Sequence, residues 1–424
     1  DFVTPVGSNG EWEQGLPGLL EPLISVAAHP APAHDEGALY FVNYNQFPPG
    51  APGGGTWIAR WDMEGKLKRW KLEGMSPFDS IHDIKATRDY LVITDLPFVV
   101  EPRTFRGKPR KKAAADFTQM WIVAKEDLRR AKPGTPVGVK ELRIPMASGH
   151  ILVDYENPGG ELNVFLQHIP TADLAMTFTT KDVSHTSGKR FDGGYEGMIN
   201  FGLQPTPVGR YRVNGRTGEL LDSKVALDAE GFWSGVLWSN DFYNKSAIDH
   251  PQNLFFGSIG CDPELISQAA WDLYHDYENP MVPMDALPTK PVPGTLSRID
   301  LESMEFDDQW QYPEGSFPHP PTYVPRKNAR HDKDGYVVTV CHQDGAKEVH
   351  IFDAANLSKG PLARATSPDF VVPLMLHSCW MPKRSGPRPS HYRVSPVRDA
   401  LEAVAKAPAK TIETFGMIRG MAGF

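Results

Sequence analysis

Cysteine is scarce: the 424 residues include only three, Cys261, Cys341 and Cys379. That excludes a disulfide framework and any paired-cysteine zinc or iron–sulfur motif. A reducing compartment is therefore expected, the cytoplasm or, in a eukaryote, a plastid. Long apolar runs are missing as well. No stretch approaches the roughly 20 residues that span a bilayer, and no basic-then-apolar leader opens the chain, so a soluble or membrane-peripheral protein without a transmembrane segment is expected. Nor is there a basic excess. With 52 acidic against 44 basic residues the net charge is −8, which gives no reason to expect a nucleic-acid partner. The glycine-rich stretch from Gly50 to Gly55 lacks a following Lys-Ser or Lys-Thr, so it fails as a phosphate loop. No fixed-period repeat marks a regular solenoid or a tryptophan–aspartate propeller.

What is abundant is glycine (38) and proline (39), placed between short apolar runs. This favours many strands joined by turns over long helices. The unit is strand, tight turn, strand. His82 to Thr87 and Tyr90 to Asp95 flank the two-residue break Arg88-Asp89. His150 to Tyr155 and Glu161 to Leu166 flank a Pro-Gly-Gly turn. Gly209 to Val213 precedes a turn at Asn214-Gly215, and Tyr336 to Val340 returns as Val349 to Phe352. Each run has the β-prone composition of a hairpin arm.

Residues 1–394 are expected to form one all-β domain. The stretches 101–116 and 262–293 lack strand pattern and are expected as cap insertions, the second partly helical. From Ser395 the composition shifts to Ala, Lys and Glu, so 395–424 is expected to be a helical tail.

Four histidines, His29, His82, His150 and His377, each stand beside a predicted strand in different parts of the chain. No two have the close spacing of a helix-borne or finger-type metal site, so a shared centre must be assembled by tertiary structure. A β-propeller can assemble one, because the innermost strand of every blade faces one axis. Four neutral imidazoles suit a borderline divalent metal such as iron(II) and leave positions open if it prefers six ligands. Taken singly, each histidine is better explained as a hydrogen-bonded structural residue. The surrounding text raises the odds.

Ala28-His29-Pro30 with Asp35-Glu36-Gly37, and Ile81-His82-Asp83-Ile84 continuing to Asp95-Leu96-Pro97, resemble motifs of the carotenoid cleavage oxygenase family. That family includes stilbene-cleaving enzymes and the retinoid isomerase of the visual cycle. His150 followed by Tyr155-Glu156 is similar to its third ligand segment. The stretch from Tyr323-Val324-Pro325-Arg326 to Pro373-Leu374-Met375-Leu376-His377 resembles its closing segment. The resemblance covers about residues 20 to 382. It implies a seven-bladed β-propeller with a helical and loop cap, and Fe(II) held by His29, His82, His150 and His377. It also implies O2-dependent cleavage of a conjugated double bond in an apolar carotenoid, apocarotenoid or stilbene-like substrate.

Departures from the pattern are informative. Family members usually carry glutamates that accept hydrogen bonds from the ligand imidazoles. Pro320 stands where one is expected, another would lie upstream of His29, and Glu230 is the candidate for the third. Ser378-Cys379 follows His377 where glycine is usual. Only 28 residues precede His29, so a truncated start and an incomplete ring are expected. Two alternatives remain open: a family member that isomerises its substrate, and a metal-free propeller that binds an apolar ligand or a protein. The basic run from Arg106 to Lys112 is read as a solvated loop in preference to a lipid contact, which leaves peripheral membrane contact open.

Overall fold

The computed structural model describes residues 25–380 apart from 45–54, 63–66, 76–79, 100, 102, 105–107, 201, 236, 239–250, 344, 374 and 376. Within them the chain lays down five sheets in sequence order. In the first, Ser25–Val26 and Ala31–Ala33 both pair with Ala38–Tyr44, followed outward by Thr56–Trp61 and Lys68–Glu73. The second runs Ser80–Ala86, Tyr90–Leu96, Phe117–Ala124, Lys140–Pro145, and the third Ser148–Val153, Glu161–His168, Val208–Asn214, Leu220–Ala226. The fourth is Leu237–Trp238, Asn253–Ser258, Thr295–Asp300, Glu305–Gln311. In the fifth, Phe317–Pro318 and Thr322–Pro325 share the edge of Gly335–Gln343, followed by Ala346–Asp353 and Ala363–Ala365. The one parallel partner among the described residues, Pro136–Gly138, joins Lys68–Glu73 and so ties the second sheet's chain to the first sheet's outer edge.

The core lies between successive sheets. Tyr90–Leu96 shows why, since all seven of its residues are buried. Leu91 and Ile93 pack with Val42, Ile58 and Trp70 of the first sheet, whereas Tyr90 and Val92 pack with Ile151, Leu162 and Val164 of the third. The strand period of two sends alternate side chains to opposite faces, and a neighbouring sheet covers each face. Every aliphatic side chain buried this way stabilises the fold by about 1.5–3 kcal/mol. Phe165 and Phe256 fill the next interface, and Leu296, Val337 and Phe352 the one after. Outermost strands lack this cover: of Leu220–Ala226 only Ala226 is buried.

Meandering sheets packed face to face in chain order are the blades of a β-propeller. The expected all-β propeller is therefore the fold, and the described residues build five of the seven expected blades. All four expected hairpins form. One turn is longer than expected: Asn214 Oδ1 accepts from the backbone N–H groups of Arg216 and Thr217, and the return strand starts only at Leu220. The 262–293 insertion is partly helical, with Ser267 capping Gln268–Tyr274 through the Ala270 N–H at 3.0 Å. The expected tail at 395–424 lies outside the described residues. No helix among those described is long and apolar enough to cross a membrane.

Candidate metal centre

Three inner strands begin beside a histidine. His29 occupies the bend before Ala31–Ala33. His82 is the extra residue of a β-bulge, because Ile81 opposes Asp95 while Asp83 already opposes Thr94. A second bulge holds His150: Ser148 opposes His168 and Ile151 opposes Leu166, so Gly149 and His150 face the single residue Gln167. A bulge breaks the in–out alternation and re-aims a side chain. His377 arrives on the segment after the fifth sheet. Its neighbour Ser378 donates to the Pro320 carbonyl at 3.0 Å and hydrogen-bonds the Thr322 hydroxyl, pinning that segment to the fifth sheet.

The four rings meet. Centroids lie 4.8 Å apart for His29 and His82, 5.3 Å for His29 and His150, 4.6 Å for His29 and His377, and 4.9 Å for His150 and His377, all edge to face. Their four ligand nitrogens fall within 4.8 Å of one another. Metal–nitrogen bonds of about 2.1 Å set neighbouring ligand nitrogens about 3 Å apart and opposed ones about 4 Å apart. The 4.8 Å limit exceeds the opposed value by under 1 Å, so the set could hold a single ion after a small inward adjustment of the rings. His29 Nε2 is buried and has no hydrogen-bond partner, as expected of an atom whose partner is a metal. His82 Nε2 and His150 Nε2 lie 3.2 Å apart.

Protonation favours ligation too. Burial pushes His29 down to about 3, lowers His82 and His377, and drives His150 well below the ordinary histidine value. The rings are therefore neutral, which is the ligating form. All four donors are imidazole nitrogens. That suits zinc, copper, iron or nickel and disfavours calcium and magnesium, which take oxygen.

A buried ion pair lies against the cluster. Asp83 is fully buried, receives Lys85 Nζ at 2.6 Å on one oxygen and the Ile151 N–H at 3.2 Å on the other, and so ties the second sheet to the third. Burial pushes its carboxyl up. The Lys85 ammonium outweighs this and holds it below the usual carboxylate range.

The support expected from Glu230 is not there. Glu230 is exposed, in a turn whose Asp228 accepts the Glu230 backbone N–H. The acceptor for His150 is Gln167, whose Oε1 lies 2.8 Å from His150 Nδ1. A sequence search for carboxylates passes over this amide, and the bulge that sets it opposite His150 leaves no mark in composition. Pro320, standing where a glutamate was expected, contributes its carbonyl to Ser378 instead.

Fold and cluster together define a β-propeller with four histidines gathered beside its inner strands, a group that could bind a metal. Residues 8–382 match the family described as retinal pigment epithelial membrane protein, and the chain belongs to that family, the carotenoid cleavage oxygenases of the sequence resemblance. Carotenoid cleavage dioxygenase 8, chloroplastic, of Arabidopsis thaliana is 33% identical over 92 residues, 22% of this chain and 15% of that protein. Isoeugenol monooxygenase of Pseudomonas nitroreducens is 32% identical over 78 residues, 18% of this chain and 16% of that protein. Both alignments thus span under a fifth of the relative. Among solved structures, the lignostilbene dioxygenase of Pseudomonas brassicacearum superposes with a TM-score of 0.53 at 19% identity, over 85% of this chain and 66% of that one. That likeness concerns the fold.

Proposed function

We propose that the chain binds iron(II) through His29, His82, His150 and His377 and, with dioxygen, cleaves a conjugated carbon–carbon double bond to two carbonyl products. The substrate is an apolar carotenoid, apocarotenoid or stilbene-like molecule. The observation that carries this is the convergence of four neutral imidazoles from distant segments, with ligand atoms within 4.8 Å of one another. Two further facts support it: the family to which residues 8–382 belong, and relatives whose names refer to carotenoid, isoeugenol and lignostilbene oxygenation.

Iron(II), when bound, would supply the activation of dioxygen toward an electron-rich alkene. The protein supplies placement. The bulges hold His82 and His150 against the inner strands, Ser378 fixes the approach of His377, and burial keeps all four rings unprotonated. The Asp83–Lys85 pair places a carboxylate near the rings without adding net charge to the interior.

The test is anaerobic reconstitution with iron(II), followed by incubation with a hydroxystilbene and an apocarotenoid under air and mass analysis of products. About one iron per chain, and carbonyl fragments carrying both atoms of dioxygen, is the expected result. Products of unchanged mass would replace cleavage with isomerisation. Absence of bound metal after reconstitution would leave a propeller that only binds ligands and would overturn the proposal.

A further inference from the structure

Gln167 is fully buried and is the single residue facing the bulge that carries His150. Its two amide atoms have different partners. Nε2 donates to the Gly235 carbonyl at 2.7 Å, and Oε1 lies 2.8 Å from His150 Nδ1. Gly235 is itself held: its N–H donates to Thr206 Oγ1 at 2.6 Å, and a Cβ at that position would come within 2.2 Å of the Phe232 ring and 2.7 Å of Thr206 Oγ1. The carbonyl is therefore fixed in place. Reversing the amide would set oxygen against oxygen at Gly235 and N–H groups against His150, so only one orientation satisfies both contacts. It follows that His150 carries its proton on Nδ1, donates it to Gln167, and keeps the Nε2 lone pair for the centre.

We propose that Gln167 is a positioning residue of the four-histidine centre, a neutral amide that selects the His150 tautomer and couples the ring to the Gly235 carbonyl, itself held through Thr206. This rests on the reading of the histidines as metal ligands. An imidazole hydrogen-bonded to a carboxylate becomes a stronger donor to its metal, whereas one hydrogen-bonded to an amide is oriented without that added charge. The structure thus assigns His150 orientation without electrostatic reinforcement. The chain fixes this tautomer with an amide held in place and not with a carboxylate.

Nitrogen-15 spectra of the histidine side chains in the metal-free protein test this directly, with the His150 signals assigned by their loss in His150→Gln. The expected result is a single Nδ1–H tautomer in the unsubstituted chain and a mixture of tautomers in Gln167→Leu. Cobalt(II) titration of both, followed by its visible absorption, should show affinity lower by about 10–100-fold in Gln167→Leu. A His150 proton on Nε2 in the unsubstituted chain would overturn the proposal. So would unchanged cobalt(II) affinity in a Gln167→Leu protein whose backbone spectrum matches the parent. If the parent bound no metal at all, the metal-centre reading would fail, while the tautomer spectrum would still decide the role of Gln167.

Discussion

The inner strands of the first three blades have two ends, and the two are opposite in character. At one end lie His29, His82 and His150, neutral rings that include a buried nitrogen with no partner. At the other, immediately after the same strands, lies a dense set of paired charges. Asp35 accepts from the Tyr155 hydroxyl, Arg88 pairs with Glu156, and Asn157 donates to Asp89 at 2.7 Å. Glu36 collects Lys125 at 2.8 Å, the Tyr40 hydroxyl at 2.7 Å and Arg60 at 3.1 Å. About six residues, or roughly 20 Å of strand, separate His82 from Arg88. The lesson concerns satisfaction. Paired charges need only the fold to complete them, whereas the unpartnered His29 Nε2, set among three other imidazoles, leaves a position that a metal could complete.

The sharpest way to break this contrast is His29→Ala. Its Nε2 has no protein partner to lose, so the metal-free chain should unfold at nearly the parental temperature while stoichiometric metal binding disappears. Metal content and calorimetry on one preparation decide it. A large loss of thermal stability without metal would place His29 among the structural residues instead.

Next in size is Lys85→Met. It leaves Asp83 charged and fully buried beside the rings, and breaking a buried pair by removing one partner costs about 3–5 kcal/mol. Replacing both members, in Asp83→Leu with Lys85→Met, should recover part of that cost, because no uncompensated charge remains. Urea unfolding of the single and double variants measures the difference. Equal stabilities would mean that the ion pair contributes nothing specific at this end.

These residues also show what the sequence made legible. The hairpins could be read because β-prone runs and Pro-Gly turns are local signals, and the histidines because their flanking motifs are. Tyr90–Leu96 was legible as a hairpin arm, but its burial on both faces, Thr94 and Asp95 included, came only with the packing of the neighbouring sheets. Gln167 could not be read: its role depends on a register shift of one residue in the neighbouring strand, and register is a property of pairing, not of composition. Glu230 misled for the matching reason, since a carboxylate in roughly the right stretch of chain still points to water when its turn does. Tyr155 and Glu156, noticed only as companions of His150, belong to the far end, where they hold blades together.

The far end gives a smaller, pH-dependent effect. Burial pushes the Glu36 carboxyl up, but hydrogen bonds from Lys125, Tyr40 and Arg60 outweigh it and hold the carboxyl below its ordinary value. The unfolded chain therefore takes up the proton first as pH falls. The contribution of Glu36 is present above the unfolded-state value and is lost as pH drops through the lower folded-state value. Glu36→Gln should cost about 2 kcal/mol at neutral pH, and the gap from the parent should close on acidification. Metal affinity should not change. A fall in metal affinity comparable to that of a ligand substitution would show that the two ends are coupled along the strands.

The smallest expected effect probes the fourth histidine, His377, which reaches the cluster on the segment after the fifth sheet. Ser378→Ala removes the hydroxyl that joins the segment to Pro320 and Thr322, and one such hydrogen bond contributes about 1 kcal/mol. His29, His82 and His150 are held by strands on either side or by bulges within them, so their positions tolerate the loss of a single contact. Among the described residues His377 lies in no strand; the Ser378 contacts tie its segment to Pro320 and Thr322, and Lys347 Nζ donates to the Val372 carbonyl at 3.0 Å five residues upstream. A Ser378→Ala protein should therefore keep its unfolding temperature within a few degrees while its metal affinity falls several-fold. Should the affinity stay level and the stability drop instead, the hydroxyl would belong with the paired groups of the far end in kind, and His377 would owe its position to the rest of its segment.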